Sequence, residues 1–265
     1  MSVNLLPDQS GSAARQNLWR IYGLEARYET LKLMRIPMYV VPTLAFPLVF
    51  YFLFGIAMRR GSSDVGTYLM ATFGALGVMN AALFGFGVAV AVERGQGWML
   101  FKRATPMPPL AWIFGRLTMC LLFAALVVAL LFTAGILAGG VRLPPGSWLS
   151  LAAVLVSGAI PFAAFGLAVG FWMGPNSAPA VLNLLSLPLA FASGMWMPIQ
   201  VLPKVVQRIA EYLPPYHYAQ LALSRVGMDQ GVPAGKSLAV LGLFTVASIA
   251  LAWVGWRRDE GKTFG

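Results

Sequence analysis

"VGTYLMATFGALGVMNAALFGFGVAVAV", residues 65–92, runs for 28 residues without a formal charge. A helix needs about 20 predominantly apolar residues to cross a hydrocarbon core about 30 Å thick, so this stretch is long enough to span a bilayer. The next stretch has the opposite character. "ERGQGWMLFKRATPMPP", residues 93–109, gathers Glu93, Arg94, Lys102 and Arg103 into one short break and ends on Pro106, Pro108 and Pro109. Long uncharged runs separated by short charged breaks decide the fold.

The whole chain has that pattern. Of its 265 residues 58% are hydrophobic and 11% charged, whereas soluble domains carry about 25% charged residues. It is an integral membrane protein. The net charge of +10 is spread over the breaks between apolar runs, where a nucleic-acid binder would cluster it on one polar face. The single cysteine, Cys120, lies inside an apolar run and excludes an intrachain disulfide and cysteine metal sites. One histidine, His217, is too few for a His-based metal site. No signal-type apolar core precedes Ile36, so no cleaved leader is expected.

Six spans are expected, at about 36–58, 65–92, 112–139, 148–172, 181–197 and 237–256, giving an all-α architecture. The fourth and fifth come from 61 residues, 143–203, without a charge. "MGPNSAP", residues 173–179, divides them, because two prolines, a glycine, an asparagine and a serine favour a turn. Pro161 and Pro188 fall inside spans, which is tolerated where neighbours satisfy the freed backbone groups. Residues 1–35 and 257–265 flank the transmembrane domain 36–256. With six spans both termini share a side. An N-terminus inside places twelve of the nineteen Lys and Arg on inner segments, so the positive-inside bias predicts a cytoplasmic N-terminus.

Before the first span, Leu18, Ile21, Leu24, Tyr28 and Leu31 recur every three or four residues and share one arc of a helix that also carries Arg20 and Arg27. Such a helix lies in the membrane interface, with its basic residues toward headgroups.

Several chemistries are excluded. "GVPAGKS", residues 231–237, imitates a phosphate-binding loop, but the glycine needed six positions before Lys236 is Gln230. All nine carboxylates lie outside the expected spans or at their edges, which argues against proton-coupled transport, and no charged ring lies within the spans as a channel requires. Asn80 and Asn183 suit interhelical hydrogen bonding. His217, in "LPPYHYAQLAL", is expected to be structural.

Three segments in order, "ERGQGWMLFKRATPMPP" (93–109), "SGMWMPIQVLP" (193–203) and "YLPPYHYAQLAL" (212–223), together with the six-span plan, resemble the type-2 ABC exporter permeases, the membrane subunits of ATP-driven exporters. Trp98 and Met99 depart from the smaller or more polar residues expected after Gly97. The resemblance implies that residues 93–109 form a cytoplasmic coupling helix against a separate P-loop ATPase, which binds the ATP and magnesium. No cofactor, metal or catalytic residue is expected in this chain. The implied coupling residues are Glu93, Arg94, Gly95, Gly97, Trp98, Phe101, Lys102, Arg103, Thr105 and Pro106. Glu93 and Arg94 would emerge from the bilayer to meet a soluble surface, aromatic anchors would fill a groove on the partner, and the prolines would stiffen the return.

On the outer side the resemblance implies short re-entrant helices before the last span, with an exit gate drawn from Phe191, Trp196, Pro198, Pro203, Ile209, Tyr212 and Pro214. It further implies a dimer of permeases in the bacterial inner membrane. An aromatic wall that includes Phe84, Phe86, Phe162 and Phe165 suits an amphiphilic drug-like compound or a lipid. A polysaccharide or lipid-linked glycan exporter and a non-transporting scaffold are the alternative readings.

Overall fold

In the computed structural model the described residues are 18–57, 63–98 and 108–261. Their regular secondary structure is entirely helical. Helix α1 covers Leu18–Met34, α2 Pro37–Phe50, α3 Ser63–Gly95, α4 Pro109–Leu137, α5 Pro145–Ser157, α6 Ala159–Trp172 and α7 Ser177–Ala192. A 3-10 turn, Ile199–Val201, precedes α8, Lys204–Ala210, α9, Pro214–Ser224, and α10, Ala234–Gly261.

Among the described residues five stretches are long and apolar enough to cross a membrane: 37–57, 64–95, 110–137, 145–172 and 234–259. The 16-residue α7 is shorter. At 1.5 Å per residue it reaches about 24 Å, less than a hydrocarbon core of about 30 Å. It begins at 177, four residues before the expected fifth span, because the turn at 173–176 closes early. There Ser177 Oγ accepts from the Gly174 amide at 3.0 Å and caps the turn.

The first and fourth spans are irregular for identifiable reasons. Pro42 and Pro47 lie inside α2, and the chain continues from it as a π-helix over Tyr51–Ala57. A proline removes an amide donor and crowds the preceding turn, so the helix adjusts around it. The expected single span 148–172 is two helices that meet at Gly158. A Cβ on Gly158 would collide with the Tyr218 ring, and the Tyr218 hydroxyl donates to the Leu155 carbonyl at 2.7 Å. A side chain from α9 thus satisfies a carbonyl at the break. Burial pushes the Tyr218 pKa well up, which keeps the phenol a donor.

The core is built around α3, whose residues from Leu69 to Ala91 are mostly buried. Its main partner is α6, and the two backbones nearly touch. A Cβ on Gly166 would lie 2.8 Å from the Leu83 carbonyl oxygen, and one on Gly170 would lie 2.9 Å from that of Gly87. Gly166 and Gly170 form a G-x-x-x-G pair, and in a bilayer such small residues drive association by allowing close van der Waals packing. Helix α10 leaves most of its apolar residues exposed, and α2 exposes Met38, Val41, Phe46 and Val49, as lipid contact requires.

Candidate functional site

Polar contacts mark the two ends of the bundle. The C-terminal end of α3 lies beside α1, the start of α4, the end of α6 and the end of α10, while Tyr68, near the start of α3, donates to the Gly194 carbonyl just after α7 at 2.7 Å. Helix α7 therefore runs from one end of the bundle to the other.

At the first end a charge network surrounds Glu93 and Arg94. Arg116 Nη2 donates to Glu93 Oε1 at 2.6 Å and to Glu29 Oε2 at 2.9 Å, and Lys32 pairs with the same Glu93 oxygen. Arg116 is 1% exposed, Glu93 4% and Glu29 6%, so these charges are held by one another and not by water. The Arg116 guanidinium also lies 5.1 Å from the Trp112 ring centroid. Arg94 faces the other way. It pairs with Asp259 at 2.9 Å and donates to the carbonyls of Gly170 at 2.7 Å and Met173 at 3.3 Å. Gly95 is tight against Pro175, where a Cβ would clash.

Sequence placed Glu93 and Arg94 where they would meet a soluble surface, and the structure gives both of them partners within the protein. Their side chains turn into the protein, because adjacent helix positions point about 100° apart and find acceptors and donors on opposite neighbours. Sequence reasoning also missed their partners Glu29, Lys32, Arg116 and Asp259. A signal existed for Arg116: the expected span started at 112 only by leaving this charge at its edge, whereas α4 begins at Pro109 and carries it two turns inside. A charge within a span calls for a partner.

Helix α1 is correspondingly rotated. Its face with Tyr22, Glu25, Glu29 and Leu33 packs toward α4, where a Cβ on Gly115 would lie 2.9 Å from Glu25 Cγ. The arc of Leu18, Leu24, Tyr28 and Leu31 is exposed, which leaves it available to an interface.

After α3 the chain turns at Gly97, whose φ of 75° is left-handed and suits glycine. Trp98 is 55% exposed. Phe101, Lys102, Arg103, Thr105 and Pro106 lie outside the described residues.

A second feature is a groove of about 380 Å³ between α2, α3 and α7, within the usual range of ligand sites. Its aromatic wall is Phe46, Phe50, Phe84 and Trp196, with Trp196 edge-on to Phe50 at 4.8 Å. Asn80, Asn183 and Ser186 are among its polar lining. Asn80 Oδ1 and Trp196 Nε1 are buried without a hydrogen-bond partner. Of the aromatic wall expected from sequence, Phe84 lines this groove, joined by Trp196 from the expected exit gate. Phe86 and Phe162 are buried in the core, and Phe165 packs on Phe244 at 5.3 Å. The contribution of α2 had no sequence signal, since span order does not reveal which helices are neighbours.

The expected gate residues are scattered at the far end. Pro198, Pro203 and Pro214 start three short helical segments, and Phe191, Ile209 and Tyr212 are exposed. His217 is fully buried. Its Nε2 lies 2.9 Å from the Glu211 carbonyl, which can only accept, so Nε2 carries the proton and Nδ1 accepts from Ser237 Oγ at 3.1 Å. The serine of the phosphate-loop look-alike is thus a structural clasp between α9 and α10. Among the described residues no cluster of His, Cys, Asp and Glu could hold a metal.

The apolar helices define a multi-pass, all-α membrane protein. A family model described as ABC-2 family transporter protein matches residues 60–254, and the chain belongs to that family. It is 28% identical over 236 residues, 88% of this chain and 95% of the relative, to the Bacillus subtilis (strain 168) protein named "Putative transport permease YvfS".

Proposed function

We propose that this chain is the membrane subunit of an ATP-driven exporter that moves an amphiphilic drug-like compound or a lipid outward across the bacterial inner membrane. A separate ATPase chain binds ATP and magnesium, and two permease copies form the pathway. Helix α7, together with the five longer stretches, makes six crossings, and the positive-inside bias puts both termini in the cytoplasm.

The observation that carries this reading is the convergence of α1, α4, α6 and α10 on Glu93 and Arg94. A push on the segment beyond Gly97 reaches four helices at once, because each is held to the end of α3 by a charge-assisted hydrogen bond. Trp98 supplies an exposed anchor for the ATPase. Closure of the ATPases on ATP then shifts the permease between conformations, provided nucleotide favours one of them. The groove between α2, α3 and α7 supports an amphiphilic cargo, since it joins an aromatic wall to uncharged polar groups. The short segments at the far end close the exit.

The test is a mild-detergent pull-down of the tagged chain expressed with its neighbouring genes, assayed for a co-purifying P-loop ATPase and for ATP hydrolysis. A stoichiometric ATPase is expected. Its repeated absence from intact, dimeric protein would leave a scaffold as the better reading.

A further inference from the structure

We propose that Arg257 and Arg258, with Trp172 and Trp253, form a binding site for the headgroup of an anionic phospholipid at the end of α10. The proposal needs only that this end of α10 lie at the membrane surface, and it does not depend on transport.

Each guanidinium rests on an indole. Arg257 Cζ is 4.9 Å from the centroid of Trp253 and Arg258 Cζ is 4.7 Å from that of Trp172. The platforms are themselves fixed. Trp172 donates from Nε1 to the Leu251 carbonyl at 2.9 Å, and it closes on Gly255, where a Cβ would come within 2.8 Å of that nitrogen. Trp253 is edge-on to Trp256 at 5.1 Å. A guanidinium stacked on a ring still offers the N–H groups at its edge, and this planar fork matches a phosphate. Both arginines are exposed. The adjacent acid, Asp259, is engaged with Arg94.

The residues that precede them on the helix identify the ligand. Leu243, Val246, Ile249 and Val254 are exposed on α10, giving an apolar flank that leads into the basic pair. A phospholipid has acyl chains and phosphate in that same order, whereas a free phosphate would use the fork and leave the flank bare. Each basic residue near the surface raises anionic-lipid affinity by about fivefold. The pair therefore predicts a preference of about 30-fold for phosphatidylglycerol over phosphatidylcholine.

The experiment is native mass spectrometry of the full chain, purified in neutral detergent and offered phosphatidylglycerol, phosphatidylcholine or inorganic phosphate. Wild type should retain phosphatidylglycerol preferentially. R257Q/R258Q should lose the preference, while K204Q/R208Q, at the far end, should keep it. R257K/R258K preserves charge and fold but not the fork, and should show a partial loss. Unchanged retention in both Arg257/Arg258 variants overturns the proposal, as does displacement of the lipid by millimolar inorganic phosphate. So does a glutamine variant that keeps its lipid but loses a co-purifying ATPase, since this end would then be a protein-docking surface.

Discussion

Glu93 and Arg116, on different helices, meet at 2.6 Å with both side chains almost wholly buried. Taking two charges out of water is expensive, and removing one partner of such a pair typically costs about 3–5 kcal/mol because the other is left uncompensated. Arg116→Leu takes from Glu29 and Glu93 the buried guanidinium they share. It should yield little monodisperse protein on size exclusion, whereas adding Glu29→Gln and Glu93→Gln to it should restore part of the yield. Full yield from Arg116→Leu alone would show that the network does not hold this end together.

The contact between α3 and α6 leaves no room at Gly166. Overpacking of this kind costs about 1–3 kcal/mol, and here the obstacle is the Leu83 carbonyl, which cannot rotate aside. Gly166→Val should lower the apparent Tm in detergent by several degrees, while Gly146→Val, where no atom lies within 4 Å of the added Cβ, should leave it nearly unchanged.

Trp98 is exposed, so its loss should cost little stability. Buried aromatic anchors at an interface are commonly worth about 2 kcal/mol or more. Trp98→Ala is therefore expected to reduce the amount of co-purifying ATPase at an unaltered Tm. Undiminished recovery would remove Trp98 from the coupling surface.

In the groove, Asn80 Oδ1 is an acceptor without a partner, and a buried unsatisfied group costs about 1–3 kcal/mol. Asn80→Leu should be at least as stable as wild type. It should also bind a neutral amphiphile that donates a hydrogen bond about 3- to 10-fold more weakly, which corresponds to the net worth of one such bond. Titration of a fluorescent probe carrying a hydroxyl, against its methyl ether, separates the two effects.

Ser237 and Lys236 are neighbours with different fates. Ser237 is buried against His217, and Ser237→Ala should lower stability by about 1 kcal/mol. Lys236 is exposed, and Lys236→Ala should leave ATP turnover by the complex unchanged. A complete loss of turnover would reopen the phosphate-loop reading of residues 231–237.

Much of this protein is determined by the sequence alone. The uncharged runs place the spans, because chain length and hydropathy suffice to say what can cross a hydrocarbon core, and the first, second and last spans fall within a few residues of α2 with its π-helical continuation, α3 and α10. The break at 173–176 is equally legible, since proline and glycine act locally. Motif order points to the family. Three things waited for the tertiary structure. The break at Gly158 depends on a Tyr218 ring that arrives from 60 residues away. The groove depends on α2 lying beside α7, which hydropathy does not encode. The direction of Glu93 and Arg94 depends on partners from four other helices. A run of residues reports how readily each segment enters a bilayer, but a buried charge takes its direction from the charges packed against it, and those are chosen by the fold.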